Sequence, residues 1–414
     1  MILRDQCLHH QQHSWPSFIF QNYGKYLTNY LISHPIVFKR YIQLATICDS
    51  SHIKSNNKIP QPKTNISAVL HKVNDLRLED KPIPPMPGPN ELLLRTLCVG
   101  ICGSDVHYWK HGFIGNFVLK NPIIMGHETS AQVAAVGSGV KNFKVGDRVC
   151  CEPAVSCRLC AYCKDGQYNL CDEILCHATP PYDGTLTQYF IHPADFTFKL
   201  PDNITDEEGA MIEPLSVALY AAKRAGVEGG SAVMVTGAGP IGLFQMMISK
   251  AFGSLRVIVL DTNMNRLKLA KSICADEILQ VHKDGNEEQL IQTVHQLMGK
   301  PIDITLECSG APKMVRLAML STKDGGTVLL TGHGPKDMNL PMSTAAIREV
   351  TVMGSFRYRN CFPLAIQLVS SGKVQLKPLI SHRFPFKQTL DAFNVAFKGE
   401  GVKVIIRVNE IIAQ

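Results

Sequence analysis

From Ile66 onward, apolar and polar positions fall into short blocks cut by glycine and proline. SAVLHKV, ELLLRTLCVG, SAQVAAVG and DRVCCEP carry the apolar, alternating character of strands and predict a β-rich region. Over Thr205–Val227 the period changes. Thr205 and Glu208 have capping-box spacing, and the apolar residues behind them recur at helical intervals. Beyond it, β-branched runs alternate with helical stretches. SAVMVTG, RVIVLD, EILQV, IDITLEC, GTVLLTG and EVTVMGS read as six strands, with helices to Phe252, to Cys274, near Gln289–Met298 and over Lys313–Ser321. Strands separated by helices in this way predict a doubly wound parallel sheet. After Gly354 a helix–strand–helix–strand tail closes the chain, and in such folds a tail of this kind returns to the first region.

The first 64 residues share none of this periodicity. They are rich in His, Gln and Asn and end in SSHIKSNNKIPQPKTN. Their seven Lys/Arg against two Asp carry five of the chain's seven net positive charges, so the remaining body has no basic stripe for nucleic acid. The basic, acid-poor composition is that of a mitochondrial presequence. Scarce arginine and a missing amphipathic stripe point instead to a disordered extension, or to a start assigned too far upstream. No apolar run approaches the roughly 20 residues of a membrane span. The best, Leu31–Cys48, is broken by His34, Pro35 and Lys39-Arg40.

Of the 14 cysteines, four cluster at metal spacing: Cys157, Cys160, Cys163 and Cys171, as C-x2-C-x2-C-x7-C. Four thiolates close a tetrahedral zinc site and hold a loop too polar to fold alone, here Ser156–Asp172. The other thiols are scattered through apolar runs, which suits a reducing compartment. A second, sparser set is Cys102 in GICGSD with His127 and Glu128 in GHE; Glu213 lies far downstream in IEPLSV. Three mixed ligands leave a position open on the metal. Asp105 is placed to accept from the His127 ring, or to cap a turn. Gly237, Gly239 and Gly242 follow a strand and open a helix, the context in which such glycines admit a pyrophosphate. Asp261, 19 residues beyond Gly242, would accept from a ribose 2′-hydroxyl and repel a 2′-phosphate, favouring NAD+ provided Arg266 points elsewhere.

Taken together, GICGSDVHYW, IGNF, GHE, ATPPYDG, EEGAMIEPLSV, GAGPIG, AAIREV and FRYRN resemble the sorbitol (polyol) dehydrogenases of the zinc-containing, medium-chain dehydrogenase superfamily, from about Ile66 to Val408. The resemblance implies a GroES-like catalytic domain over 65–214, rejoined by 355–414, and a Rossmann domain over 215–354. It implies a catalytic zinc on Cys102, His127 and Glu128, with Glu213 contacting the zinc-bound water. Tyr108, Glu213, Arg357 and Tyr358 match substrate contacts, and Phe117 and Thr179 line the same pocket. Ile241, Asp261 and Arg266 match NAD+ contacts, with Thr331, Gly332, His333, Ser355, Phe356 and Arg357 contributing backbone. It also implies a cytoplasmic homotetramer without membrane or nucleic-acid partners. Three departures stand out: Ala131 for a usual Gly, Tyr182 for a usual Asp, and a full set of structural-zinc cysteines, which some members have lost.

The expected reaction is D-sorbitol plus NAD+ to D-fructose plus NADH, with Glu213 and Ser104 passing the alcohol proton through water. The rival readings are another secondary alcohol (xylitol, L-iditol, butanediol or threonine) and a non-catalytic protein of the same fold.

Overall fold

The computed structural model describes residues 64–282 and 284–408. The extension expected over 1–64, and with it the presequence reading, lies outside the described residues except for Thr64. The described residues belong to one compact unit, Ile59–Gln414. Among them, no helix is long and apolar enough to cross a membrane.

Two sheets position everything that follows. The first is largely antiparallel and centres on Glu91–Gly100. This strand pairs with Glu128–Val136, with Tyr189–Pro193 and with the late strand Lys403–Arg407. Arg148–Cys151 and Thr197–Lys199 extend the sheet on one side, and Ile380–Pro385 on the other. The tail after Gly354 is helix Phe362–Ser370, strand Ile380–Pro385, helix Thr389–Lys398 and strand Lys403–Arg407. It supplies two strands of this sheet. Ala131, one of the departures, is fully buried in the core with Leu92, Leu94 and Val133, where an extended strand gives its methyl group room.

The second sheet holds the six expected strands, all parallel, in the spatial order Glu277–Gln280, Arg256–Asp261, Ala232–Thr236, Ile302–Glu307, Thr322–Leu330, Thr351–Gly354. In chain order that is 3-2-1-4-5-6, the Rossmann arrangement. The central strand Ala232–Thr236 is buried at every position, as a strand covered on both faces must be.

The helix expected over Thr205–Val227 forms as two. Thr205 and Glu208 make the predicted capping box on Asp206–Ala210, and a second helix spans Ile212–Arg224. The break at Met211 has a local cause: Pro214 has no N–H to give the Ala210 carbonyl. The boundary expected at 214/215 therefore falls inside the second helix. Leu215, Ala218 and Leu219 of that helix share one continuous apolar core with Cys98, Val235, Phe244, Phe362 and Ile405.

Candidate metal centres and nucleotide edge

In the four-cysteine loop, all four sulfurs lie within 4.8 Å of one another. Cys157 and Cys163 are 3.9 Å apart and Cys160 and Cys163 3.5 Å. Sulfurs each about 2.3 Å from one zinc stand about 3.8 Å from each other, whereas a disulfide closes to about 2.05 Å. The set therefore fits a metal. The N–H groups of Leu159 and Cys160 point at the Cys157 sulfur from 3.4 and 3.3 Å, and they bring its thiol down to about 7.

The second set is assembled from two places, a helix start and a strand start. Cys102 caps the helix Gly103–His111, His127 precedes the strand Glu128–Val136, and Glu128 opens that strand. Their ligand atoms also lie within 4.8 Å of one another. Asp105 takes the capping role and stands near the His127 ring without a hydrogen bond to it. Its Oδ2 accepts from the Cys102 N–H at 3.0 Å, while its Oδ1 stands 3.3 Å from Nδ1 of His127, a loose contact that leaves the other ring nitrogen for a metal. Burial alone would lower the His127 pKa, but the Asp105 and Cys102 charges outweigh it and hold the ring well above its ordinary value. A donor set that draws a proton so strongly fits a cation.

Sheet register explains why the carboxylate can be there. Glu128 lies opposite Gly100, where a Cβ would stand 2.1 Å from the Glu128 Oε2. Glycine at 100 is thus a space requirement. Ile405 faces Gly100 from the other side, and the neighbouring Lys403, 1% exposed, forms an ion pair with Glu128 and donates to the Ile101 carbonyl at 3.2 Å. Sequence reading missed Lys403; its only signal was a lysine leading the apolar strand KVIIR.

Glu213, on the helix Ile212–Arg224, senses the charges of His127, Glu128 and Lys403, and burial pushes its carboxyl up to about 7. Tyr358, 2% exposed, donates its hydroxyl proton to Glu213 Oε1 at 2.8 Å. Tyr108 is buried on the first-sheet side, and desolvation raises its hydroxyl to about 12, so it stays a donor. Arg357 has a buried Nη1 without a hydrogen-bond partner, and its charge reaches Tyr108. Ser104 lies half-buried in the first turn after Cys102. Thr179 is half-buried in a turn closed on Cys176, which also acts electrostatically on Tyr108. Phe117 does not join this group by any hydrogen bond or ring contact among the described residues; it stands 43% exposed on the short hairpin Phe113–Val118.

The remaining predicted residues follow the carboxyl ends of the parallel strands, on one edge of the sheet. Gly237 and Gly239 come after Thr236, Asp261 ends its strand, Thr331–His333 follow Leu330 and Ser355–Arg357 follow Gly354. Gly237 has φ +94°, and a Cβ on Gly242 would stand 1.7 Å from the Gly237 carbonyl. A Cβ on Gly239 would meet nothing, so room for a pyrophosphate lies at the start of the helix Pro240–Ala251, which carries Ile241 and has no side-chain cap. Asp261 accepts from the Ala238 N–H at 2.6 Å and the Asn263 N–H at 2.7 Å. Arg266 points away from it, donating to the Gly399 and Gly401 carbonyls at 3.1 and 3.2 Å. Gly332 and Thr331 both donate to the Glu307 carbonyl, which shapes that stretch of backbone.

Comparison with known proteins agrees along the same length. Residues 88–202 match the alcohol dehydrogenase GroES-like domain, and residues 240–371 match the zinc-binding dehydrogenase family. The chain is 48% identical to sorbitol dehydrogenase of Gallus gallus over 83% of this chain and 96% of that protein. It is 47% identical to the Mus musculus enzyme over 84% and 97%. Among solved structures, an Escherichia coli oxidoreductase/dehydrogenase of unknown specificity, involved in membrane biogenesis, superposes with TM-score 0.79 at 34% identity, covering 84% of this chain and all of that one. With both sheets, both ligand sets and these matches in agreement, the chain belongs to the zinc-containing, medium-chain dehydrogenase family, among the sorbitol dehydrogenases.

Proposed function

We propose that this protein oxidises D-sorbitol and related polyols such as xylitol and L-iditol to the ketose, with NAD+ as acceptor. The observation that carries the reading is the Tyr358–Glu213 hydrogen bond, 2.8 Å long and spanning 145 residues. It joins IEPLSV, the string most particular to polyol enzymes, to FRYRN, another of the resembling strings, beside Cys102, His127 and Glu128. When bound, zinc on these three residues supplies a Lewis acid and NAD+ the hydride acceptor.

The rest follows from the chain's own groups. Glu213, with its carboxyl near 7, takes or returns a proton close to neutrality, and Tyr358 fixes which oxygen is free to do so. Ser104, next to the ligand Cys102, carries that proton toward solvent. Tyr108 and Arg357 offer the donors a polyol needs beyond its reacting hydroxyl. Leaving such buried groups unmatched costs about 1–3 kcal/mol each, which penalises simple alcohols. Asp261 disfavours a 2′-phosphate, and Arg266, engaged at Gly399 and Gly401, does not neutralise it. The four-cysteine set holds a second, structural zinc. A homotetramer and a cytoplasmic location belong to the reading by family resemblance, and light scattering and cell fractionation test them.

The deciding experiment is NADH absorbance over sorbitol, xylitol, L-iditol, threonine, ethanol and 2-butanol, with phenanthroline as control. Polyols lead by orders of magnitude in kcat/KM, and the chelator abolishes turnover until zinc is restored. Equal rates on 2-butanol and sorbitol would remove the polyol assignment. Preference for NADP+ in the unaltered protein would remove the role of Asp261.

A further inference from the structure

The four-cysteine loop reaches the substrate-facing segment directly, through two residues that no motif singled out. Between Cys163 and Cys171 lies the short turn Tyr168–Leu170. Asn169, 2% exposed, donates from Nδ2 to the Phe356 carbonyl at 3.0 Å. The Tyr168 hydroxyl accepts from the Asn360 N–H at 2.6 Å. Glu152, buried just beyond the strand Arg148–Cys151, acts electrostatically on that hydroxyl. Phe356 and Asn360 bracket Arg357 and Tyr358.

That bracket cannot hold its shape alone. Arg357 has φ +52°, the left-handed region that a long non-glycine side chain keeps only when its surroundings impose it; Asn360 has the same φ, which asparagine adopts more readily. On its amino side the segment is fixed to the parallel sheet, where Ser355 N–H bonds the Leu330 carbonyl and Arg224 bonds the Gly354 carbonyl. From the other side, the clamps are Tyr168 and Asn169. Their loop is anchored to the body by Arg158, which donates to both Asp195 carboxylate oxygens at 2.7 and 2.8 Å, and by the Tyr168 ring against Phe196, whereas its four-residue helix, Ala161–Lys164, has no buried residue and Leu159 and Tyr162 face solvent.

We propose that Tyr168 and Asn169 are positioning residues that transmit the geometry of the four-cysteine site to Arg357 and Tyr358, so that the closed metal site sets polyol affinity. This rests on the reading that Arg357 and Tyr358 contact the polyol. The cysteine site is then more than a staple. Damage to it, by oxidation or metal loss, weakens substrate binding while the catalytic donors and the nucleotide edge stay in place.

The test compares Tyr168→Phe, which keeps the ring against Phe196 and removes only the hydroxyl, with Asn169→Asp, Cys160→Ser and Arg357→Ala. The readouts are sorbitol affinity by calorimetry in the presence of NADH, NADH affinity by fluorescence, zinc content, and KM and kcat separately. Tyr168→Phe raises the sorbitol Kd and KM about tenfold, the loss expected when a buried hydrogen bond goes, with kcat and NADH affinity within about twofold. Cys160→Ser raises KM by a similar factor, and the double variant Cys160→Ser/Tyr168→Phe is little worse than either alone, because both act through one contact. Asn169→Asp, which swaps a donor for an acceptor, reproduces the affinity loss. If Tyr168→Phe leaves sorbitol affinity unchanged while Arg357→Ala weakens it, the positioning role is overturned and the polyol reading stands. If Arg357→Ala also leaves affinity unchanged, the polyol reading itself fails. Parallel losses in kcat, NADH affinity and thermal stability in Tyr168→Phe would show a merely structural residue.

Discussion

The four-cysteine loop and the Cys102–His127–Glu128 cluster draw on overlapping ligand chemistry but are put together in opposite ways. The first takes all its donors from 15 consecutive residues, Cys157 to Cys171, on a loop with almost no regular structure. The second takes them from a helix start and a strand start that only sheet pairing brings together. The loop, with little regular structure, is held by side-chain contacts such as Arg158–Asp195 and Asn169–Phe356 around its four thiols, whereas the cluster inherits its shape from sheet pairing. Damage to the first should therefore appear in stability and substrate fit, and damage to the second in the chemical step.

The largest effect expected is at the open cluster. His127→Ala removes a ligand and lowers kcat/KM by at least about a thousandfold, since the Lewis acid contributes several kcal/mol. Its melting temperature stays within a few degrees of the unaltered protein, because the sheet remains. A large drop in melting temperature would erase the distinction between the sites.

Next comes the support of that cluster. Asp105→Asn keeps the shape but removes the charge facing His127, and costs about 10–100-fold in metal affinity or activity. Zinc titration against a competing chelator measures it. An unchanged affinity would mean that the 3.3 Å contact is incidental.

A third variant turns the comparison round. Cys160→Ser opens the closed site and destabilises the protein by about 2 kcal/mol, a fall of roughly 2–4 °C in Tm for a unit of this size, with one zinc lost per chain and the chemical step retained. Loss of both metals together would show that the two sites are not independent.

The smallest effect is a pH slope at Glu152, which lies between the two regions. Burial pushes its carboxyl from an ordinary 4.5 up to about 8, so the folded protein holds a proton that the unfolded chain releases. With more protons bound in the native state, the contribution of this group is greatest below about 4.5, declines as pH rises toward 8 and levels off above it. Glu152→Gln keeps the neutral form and should flatten Tm between pH 6 and 9. An identical slope in the variant would place the Glu152 proton elsewhere.

Much of the fold was legible because its signals are contiguous. Six buried strands separated by helices admit few arrangements, and Gly237, Gly239 and Gly242 after a strand mark the nucleotide edge without tertiary help. Over Thr205–Val227 the periodicity continues across Met211 and predicts one helix; the missing N–H of Pro214 divides it. The closed cysteine site was equally plain, for its spacing is its geometry. The open site was legible as residue types alone, Cys102 and His127–Glu128.

What the sequence by itself determined, then, is everything carried by local spacing: the strands and helices, the glycine turn, the capping box and the four thiols. Tertiary structure decided the rest. It set Glu128 opposite Gly100 with Lys403 beside it, turned Arg266 toward Gly399 and Gly401, joined Tyr358 to Glu213 and hung the Arg357 segment from Tyr168 and Asn169. The physical reason is range. Backbone propensity and ligand spacing act over a few residues, but a hydrogen bond between groups well over a hundred positions apart exists only once sheet register and core packing have brought them together.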